Sequence, residues 1–328
     1  ALHQTLSLFA VEAIEALAHE PDQTDEQHAL DVLSVIESVV ENPGVILAAQ
    51  VDKAKDALMA EMKMQGVEYE ERMEKLAEVT HPKPLADYLY ATFDSFRAHH
   101  PWVGSENVRP KSVARDLYER AMTFRELVNH YGLKRSEGVV LRYLSEVYKA
   151  MVQNIPEPAK TEAVYDLTEW LGELVRQIDS SLLDEWERLR HPDPVDDAAE
   201  VRPPTGERSD VTTNGRAFRV MIRNELFRWV TLLSRRAYAA LAEATGRSEQ
   251  ELADAAAPYW DTYDQVVLDA DARNVANVLI DDVRDPWRVV QVITDPDGDC
   301  EWRITADVDL AASREAGEPV LRFIGIAA

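Results

Sequence analysis

Apolar residues recur at helical spacing through most of the first 190 positions, with glycine or proline punctuating the gaps. Thr24 opens a helix whose apolar stripe is Leu30, Leu33, Ile36, Val39 and Val40, and Asn42-Pro43-Gly44 stops it. The same pattern predicts a long helix from about Val45 to Gln65 and a charged one from Glu68 to Val79. His81-Pro82-Lys83-Pro84 breaks the chain, and Leu85, Tyr88, Leu89, Phe93 and Phe96 then mark an amphipathic helix ending at His100-Pro101, where Trp102 is expected as an aromatic anchor. Pro110 stands near the start of a further helix with Val113, Leu117, Tyr118, Met122, Leu127 and Val128 on its apolar side. The stretch Tyr131–Met151, opening on Lys134 and Arg135, and a long helix from about Thr161 to Leu189 complete an all-helical bundle domain over residues 1–190.

Residues 191–215, HPDPVDDAAEVRPPTGERSDVTTNG, concentrate Pro, Asp, Ser, Thr and Gly without an apolar period and read as a linker. Beyond it, Phe218 to Leu241 predicts a strong amphipathic helix, and Ser248 caps another reaching about Val267. The character then changes. WRVVQVIT and CEWRITADVDL are rich in branched and aromatic residues and flank Asp295-Pro296-Asp297-Gly298-Asp299, a hairpin connection; PVLRFIGIA supplies another strand after the turn at Gly317. Residues 216–328 are therefore expected to form a small α+β domain, and the fold class as a whole is mainly α.

Composition narrows the chemistry. Sixty acidic residues against thirty-five basic ones give a net charge of −25 over 328 residues, which repels nucleic acid and anionic membrane on average, so any polyanion site must be local. Cys300 is the only cysteine, which excludes a disulfide framework or thiolate cluster and fits a reducing cytoplasm. No apolar run approaches the roughly 20 residues that cross a bilayer, and the first residues lack a signal-peptide layout. Because residue 1 is Ala rather than Met, a fragment or processed product is expected. There is no phosphate-cradling G-x-x-x-x-G-K-[ST] loop, no G-x-S-x-G, no dinucleotide glycine pattern and no H-E-x-x-H, so no cofactor is expected in this chain and no nucleotide hydrolysis by it alone. The Asp295–Asp299 run has calcium-loop alternation, but Gly298 is misplaced and the twelfth position is Ala306, which favours a plain turn. Trp260, Asp261 and Asp264 are too generic to define an enzyme site.

Charge is unevenly spread. Between Arg109 and Gln153 nine cations (Arg109, Lys111, Arg115, Arg120, Arg125, Lys134, Arg135, Arg142, Lys149) face five carboxylates, a local surplus of four. Within that region Val140, Leu141, Leu144, Val147, Tyr148 and Met151 share one helix face, leaving Arg142, Ser145, Glu146, Lys149 and Gln153 opposite. Two readings follow: a helix packed on one side and solvated on the other, or a polar ridge along a single strand, its cations on phosphates and Tyr143 offering a stacking face. A second basic face, Arg216, Arg219, Arg223, Arg228, Arg235 and Arg236 against the lone Glu225, reads as a solubilising or internally paired surface, with anion binding the alternative.

GVVLR at Gly138–Arg142, followed by an amphipathic helix closing at Gln153, resembles the Gly-Ser-Ile-Ile-Arg helix in the carboxy-terminal helical region of Ski2-like superfamily 2 helicases. The longer phrases VRPKSVARDLYERAMTFRELVNHYGLKRSEGVVLRYLSEVYKAM and EWLGELVRQIDSSLLDEWERL resemble the domain of unknown function that follows the motor in a group of bacterial DEAD/DEAH-box helicases. That resemblance implies an accessory carboxy-terminal region of an ATP-dependent helicase. Its partners would be single-stranded RNA or DNA and the motor domains of the same polypeptide, which would hold ATP and Mg. It also implies a ratchet-type helix across the unwound strand, with Gly138, Arg142 and Gln153 matching the motif, whereas Ser145 and Glu146 stand where the family carries paired arginines. The expected contacts are Lys134, Arg135, Arg142, Lys149 and Gln153, with Arg176 and Gln177 on the later helix. The order of helices then meander in the last domain is similar to the cone-shaped nuclear-transport-factor-like fold. A protein-interaction scaffold without nucleic-acid contact is the competing expectation.

Overall fold

The computed structural model describes residues 2–104, 106–179, 181–183, 186, 210–269 and 271–328. Most of the helices follow the apolar periods: α1 (Leu2–Ala16), α2 (Asp25–Val39), α3 (Gly44–Met64), α4 (Tyr69–Ala77) and α5 (Ala86–His99). Next come α6 (Ala114–Glu119), α7 (Phe124–His130), α8 (Glu137–Asn154) and α9 (Glu162–Asp179). The chain divides into two compact units, Ala1–Gln23 with His28–Thr168 and Thr24–Gln27 with Glu169–Ala328, so the division falls inside α9. The linker expected at 191–215 lies outside the described residues as far as position 209, as does most of the expected helix beyond 183.

In the first unit, α1 packs on α5 and α8. Phe9 meets Phe93 and Phe96 edge-on at centroid distances of 5.0 and 5.5 Å, an arrangement that suits the aromatic quadrupoles. Leu33, Ile36, Ile46, Leu89, Leu117, Leu127, Val140, Leu144 and Val147 complete a buried core. At the end of α5 the ring against Phe96 is His100, at 4.2 Å, while Trp102 stays largely exposed, so the expected anchor is the histidine.

The single helix expected after Pro110 is two. Lys111 and Ser112 are irregular, α6 ends where Ala121 adopts φ +50°, and α7 restarts at a capping box in which the Thr123 hydroxyl and Glu126 carboxylate exchange backbone N–H bonds. What starts α6 is Glu37 of α2, fully buried. Its Oε1 accepts from the amides of Val113 (2.8 Å) and Ala114 (2.9 Å) and from the Tyr143 hydroxyl (2.7 Å); its Oε2 accepts from the amide of Arg115 (3.2 Å). These are cap and first-turn donors that no local side chain satisfies, and the helix N-terminus favours the negative charge. Burial pushes the Glu37 carboxyl up, against the pull of those donors. Lys111 is equally buried, its Nζ donating to the carbonyls of Val40 (2.8 Å) and Arg109 (2.9 Å). Burial lowers its ammonium to about 7, with attraction to Glu37 opposing.

In the second unit, α10 (Gly215–Ser234), α11 (Tyr238–Thr245) and α12 (Glu249–Thr262) precede an antiparallel meander of β1 (Val278–Asp281), β2 (Trp287–Val292), β3 (Arg303–Val308) and β4 (Leu321–Ala327). The helix expected from Phe218 to Leu241 is interrupted where Arg236 takes φ +51°. Ser248 caps α12 as expected, in a capping box with Glu251. β1 and a short helix α13 (Leu310–Ala316), closed by Gly317 at φ +73°, were not legible in the pattern, being only four and seven residues long. Val289, Ile304, Ala306, Val308, Leu321 and Phe323 pack with Phe218, Ile222, Trp229, Leu252 and Tyr259 as one core. Facing water, Arg288 pairs with Asp307 across β2 and β3 at 2.6 Å. No described helix is long and apolar enough to cross a membrane.

Glu37→Ala orphans three amides and a hydroxyl and should cost about 3–5 kcal/mol in urea unfolding, against about 1 kcal/mol for Tyr143→Phe. The Lys111 amine, at about 7 when folded and near 10.5 when unfolded, binds more protons in the unfolded state between those values. Stability of the first unit should therefore rise with pH from 7 to 9, by at most ~1.4 kcal/mol per pH unit, and lose that slope in Lys111→Met.

Candidate nucleic-acid interface

α8 buries more of its circumference than periodicity implies. Val140, Leu141, Leu144, Val147, Tyr148 and Met151 are buried as expected, but so are Tyr143 and Ser145. Tyr143 offers no stacking face to a base, because its ring is in the core and its hydroxyl is held by Glu37. The polar ridge shrinks to Arg142, Glu146, Lys149 and Gln153, spaced so that they share a narrow stripe. Lys149 bonds Glu146 at 3.1 Å and is half-buried, so the stripe carries Arg142 as its unpaired charge.

Four of the nine cations of the basic island are engaged internally, Lys149 among them, while Arg109 and Arg125 are exposed with no side-chain partner among the described residues. Lys111 is in the core. Arg115 binds Asp31 and Glu119 at 2.8 Å each, and Arg120 binds Asp116 at 2.6 Å, with the Tyr131 hydroxyl on the same carboxylate. Lys134 and Arg135 form an exposed 3-10 turn leading into α8, and Arg142 and Gln153 are also exposed; among the described residues none of the four has an ion pair or side-chain hydrogen bond. Gly138, in the first turn of α8, is exposed, and a Cβ there would meet nothing within 4 Å. No packing within the described chain requires a glycine at that position.

Arg176 and Gln177 belong to the second unit, on the later turns of α9. Arg176 lies 3.5 Å from Glu173, and Gln177 is buried and donates to the same carboxylate. A buried Gln177 presents no amide to a strand. Most of the second basic face is engaged: Arg219 pairs with Asp282, Arg228 with Glu225 at 3.0 Å, and Arg236 lies 4.2 Å over the Trp260 ring, while Arg216 and Arg223 also have partners; Arg235 is exposed and has none among the described residues. The Asp295 carboxylate turns inward to the amides of Asp297, Asp299 and Cys300, which makes the run a hairpin connection. Among the described residues no group of His, Cys, Asp or Glu could hold a metal.

Sequence reasoning missed Glu37. The signal was a carboxylate inside the apolar run Leu33-Ser34-Val35-Ile36-Glu37-Ser38-Val39-Val40, since such a charge enters a core only when paired or multiply hydrogen-bonded.

A family model described as a domain of unknown function, DUF3516, matches residues 1–326. The chain belongs to that family. The DUF3516 match takes in both units, which are therefore parts of one family domain. No curated protein and no solved structure matches the chain.

Brief acetylation of the folded chain should modify Lys134 early and Lys111 only on unfolding, although Lys111 has the lowered pKa. Mass spectrometry of the digested protein reads this directly, and early labelling of Lys111 would contradict its burial.

Proposed function

We propose that this chain is the accessory carboxy-terminal region of an ATP-dependent RNA or DNA helicase of the Ski2-like, DEAD/DEAH-box kind, in which α8 guides a single strand. The motor domains, with ATP and Mg, lie in the rest of the parent polypeptide. One observation carries the proposal: of the five island cations that are exposed and, among the described residues, unpaired, three, Lys134, Arg135 and Arg142, lie just before or on α8. They sit at and near the N-terminus of α8, where the helix dipole adds to their attraction for phosphate. Gly138 lies between them, and its lack of any internal steric role leaves the backbone open to close approach.

Ser145 is buried and Glu146 holds Lys149, so the ridge steers rather than grips. Three phosphate contacts on a single strand correspond to a salt slope near −2.1, about a 20-fold loss between 50 and 200 mM salt. For the terminal domain we propose a cone-like sheet of the nuclear-transport-factor-like kind, supported by helices followed by a four-stranded antiparallel meander. This fold reading implies no reaction.

A labelled single-stranded 12-mer, as RNA and as DNA, is expected to bind the chain weakly, with that salt dependence. Lys134→Glu/Arg135→Glu/Arg142→Glu should abolish binding without loss of thermal stability. Gly138→Ala separates fold from function: helix propensity predicts ~0.5–1 kcal/mol of added stability, and close strand approach predicts weaker binding. Salt-insensitive binding, or binding that the triple reversal leaves unchanged, would refute the proposal.

A further inference from the structure

α3 begins in the core and ends outside it. Ile46, Leu47 and Gln50 are buried, whereas from Asp52 to Met64 only Met62 is. Gly66, at φ +70°, turns the chain back into α4, which packs against α3 and buries Leu76 alone. The result is a two-helix arm. Four of the seven methionines, Met59, Met62, Met64 and Met73, lie on it. Met64 is 84% exposed, Tyr69 63% and Met73 45%, and Tyr69 and Met73 share one face of α4 at i, i+4 spacing.

Exposed apolar side chains gathered on one hairpin among charged residues, with the Arg72 guanidinium 5.9 Å from the Tyr69 ring centroid, suit an interaction site, and unbranched methionine side chains adapt to a partner's relief. The rim identifies the partner's charge. Between Glu61 and Glu78 six carboxylates (Glu61, Glu68, Glu70, Glu71, Glu74, Glu78) stand against Lys63, Arg72 and Lys75, and all six are exposed. Lys75 is already engaged by Glu71 at 2.7 Å. Such a rim repels nucleic acid and anionic membrane, and a net charge of −25 opposes a second copy of the chain. It attracts a cationic polypeptide. Two packed helices also leave a groove between their ridges that a third helix fills, with apolar anchors at i, i+4 and i+7.

We propose that the α3–α4 hairpin is a docking arm for a cationic amphipathic helix of a partner protein, seated on Met64, Tyr69 and Met73 with its lysines and arginines over the glutamates. This surface shares no residue with the α8 ridge, and it does not rest on the nucleic-acid reading. The test uses the whole chain labelled with methyl-13C methionine, its resonances assigned by single Met→Leu variants. The probe is a synthetic helix of leucine and lysine at heptad spacing, with the same helix bearing glutamate for lysine as control. The Met64 and Met73 methyls should shift on titration while buried Met151 stays still. Affinity should fall at least tenfold in Tyr69→Ser/Met73→Ser, whose exposed positions leave the fold intact, and severalfold from 50 to 300 mM salt. Equal binding of the glutamate helix, silent Met64 and Met73 methyls, or unchanged affinity in the double variant would overturn the proposal. So would shifts of those methyls with protein concentration alone, which would make the occupant a second copy.

Discussion

A carboxylate sealed from water sets the geometry of the first unit. Glu37 has no exposed surface, and it is tolerable there only because three backbone amides and a tyrosine hydroxyl surround it. Its donors come from the start of α6 and from the middle of α8, so one side chain on α2 joins three segments distant in sequence. The consequence reaches the surface. With Tyr143 held inward, the rotation of α8 about its axis is fixed, and Arg142, the preceding residue and about 100° around the helix, is held outward with Glu146, Lys149 and Gln153. The candidate interface is the far side of a helix whose rotation is set by a buried hydrogen bond.

Electrostatics shows the same economy throughout. Counting charges along the chain finds a basic island and a basic face, yet the fold pairs most of those cations internally: Arg115 with Asp31 and Glu119, Arg120 with Asp116, Arg219 with Asp282, Arg228 with Glu225. These pairs range from half-buried to exposed, and each removes charge from the field an incoming polyanion experiences. Five cations of the island stay exposed and unpaired among the described residues, Arg109, Arg125, Lys134, Arg135 and Arg142, and the last three lie just before or on α8.

Long amphipathic helices were legible because their apolar stripes exceed two turns: α2, α3, α5 and α8 lie close to where periodicity places them, and α12 starts at its Ser248 cap but ends at Thr262, short of the expected Val267. The strands around Asp295–Asp299 were legible from branched residues flanking a turn. What was not legible depends on contacts remote in sequence. The break between α6 and α7 follows from amides captured by Glu37 and from a positive φ at Ala121; Tyr143 looked like a surface aromatic because its partner lies on another helix. Gln177 looked available although its partner, Glu173, is one turn away on α9; what the pattern did not show is that Gln177 is buried. For the site, Lys134, Arg135, Arg142 and Gln153 were readable as polar positions on an amphipathic helix, whereas the loss of Lys149 to Glu146 required side-chain geometry.

The central claim is that a single strand passes along the outward stripe of α8. Photocrosslinking a single-stranded oligonucleotide carrying a thio-substituted base to the protein, followed by peptide mapping, tests it most directly. Crosslinks concentrated between Lys134 and Gln153, lost when Arg142 is replaced by glutamate, are the result this account predicts. Crosslinks confined to other segments, or unaffected by that replacement, would contradict it.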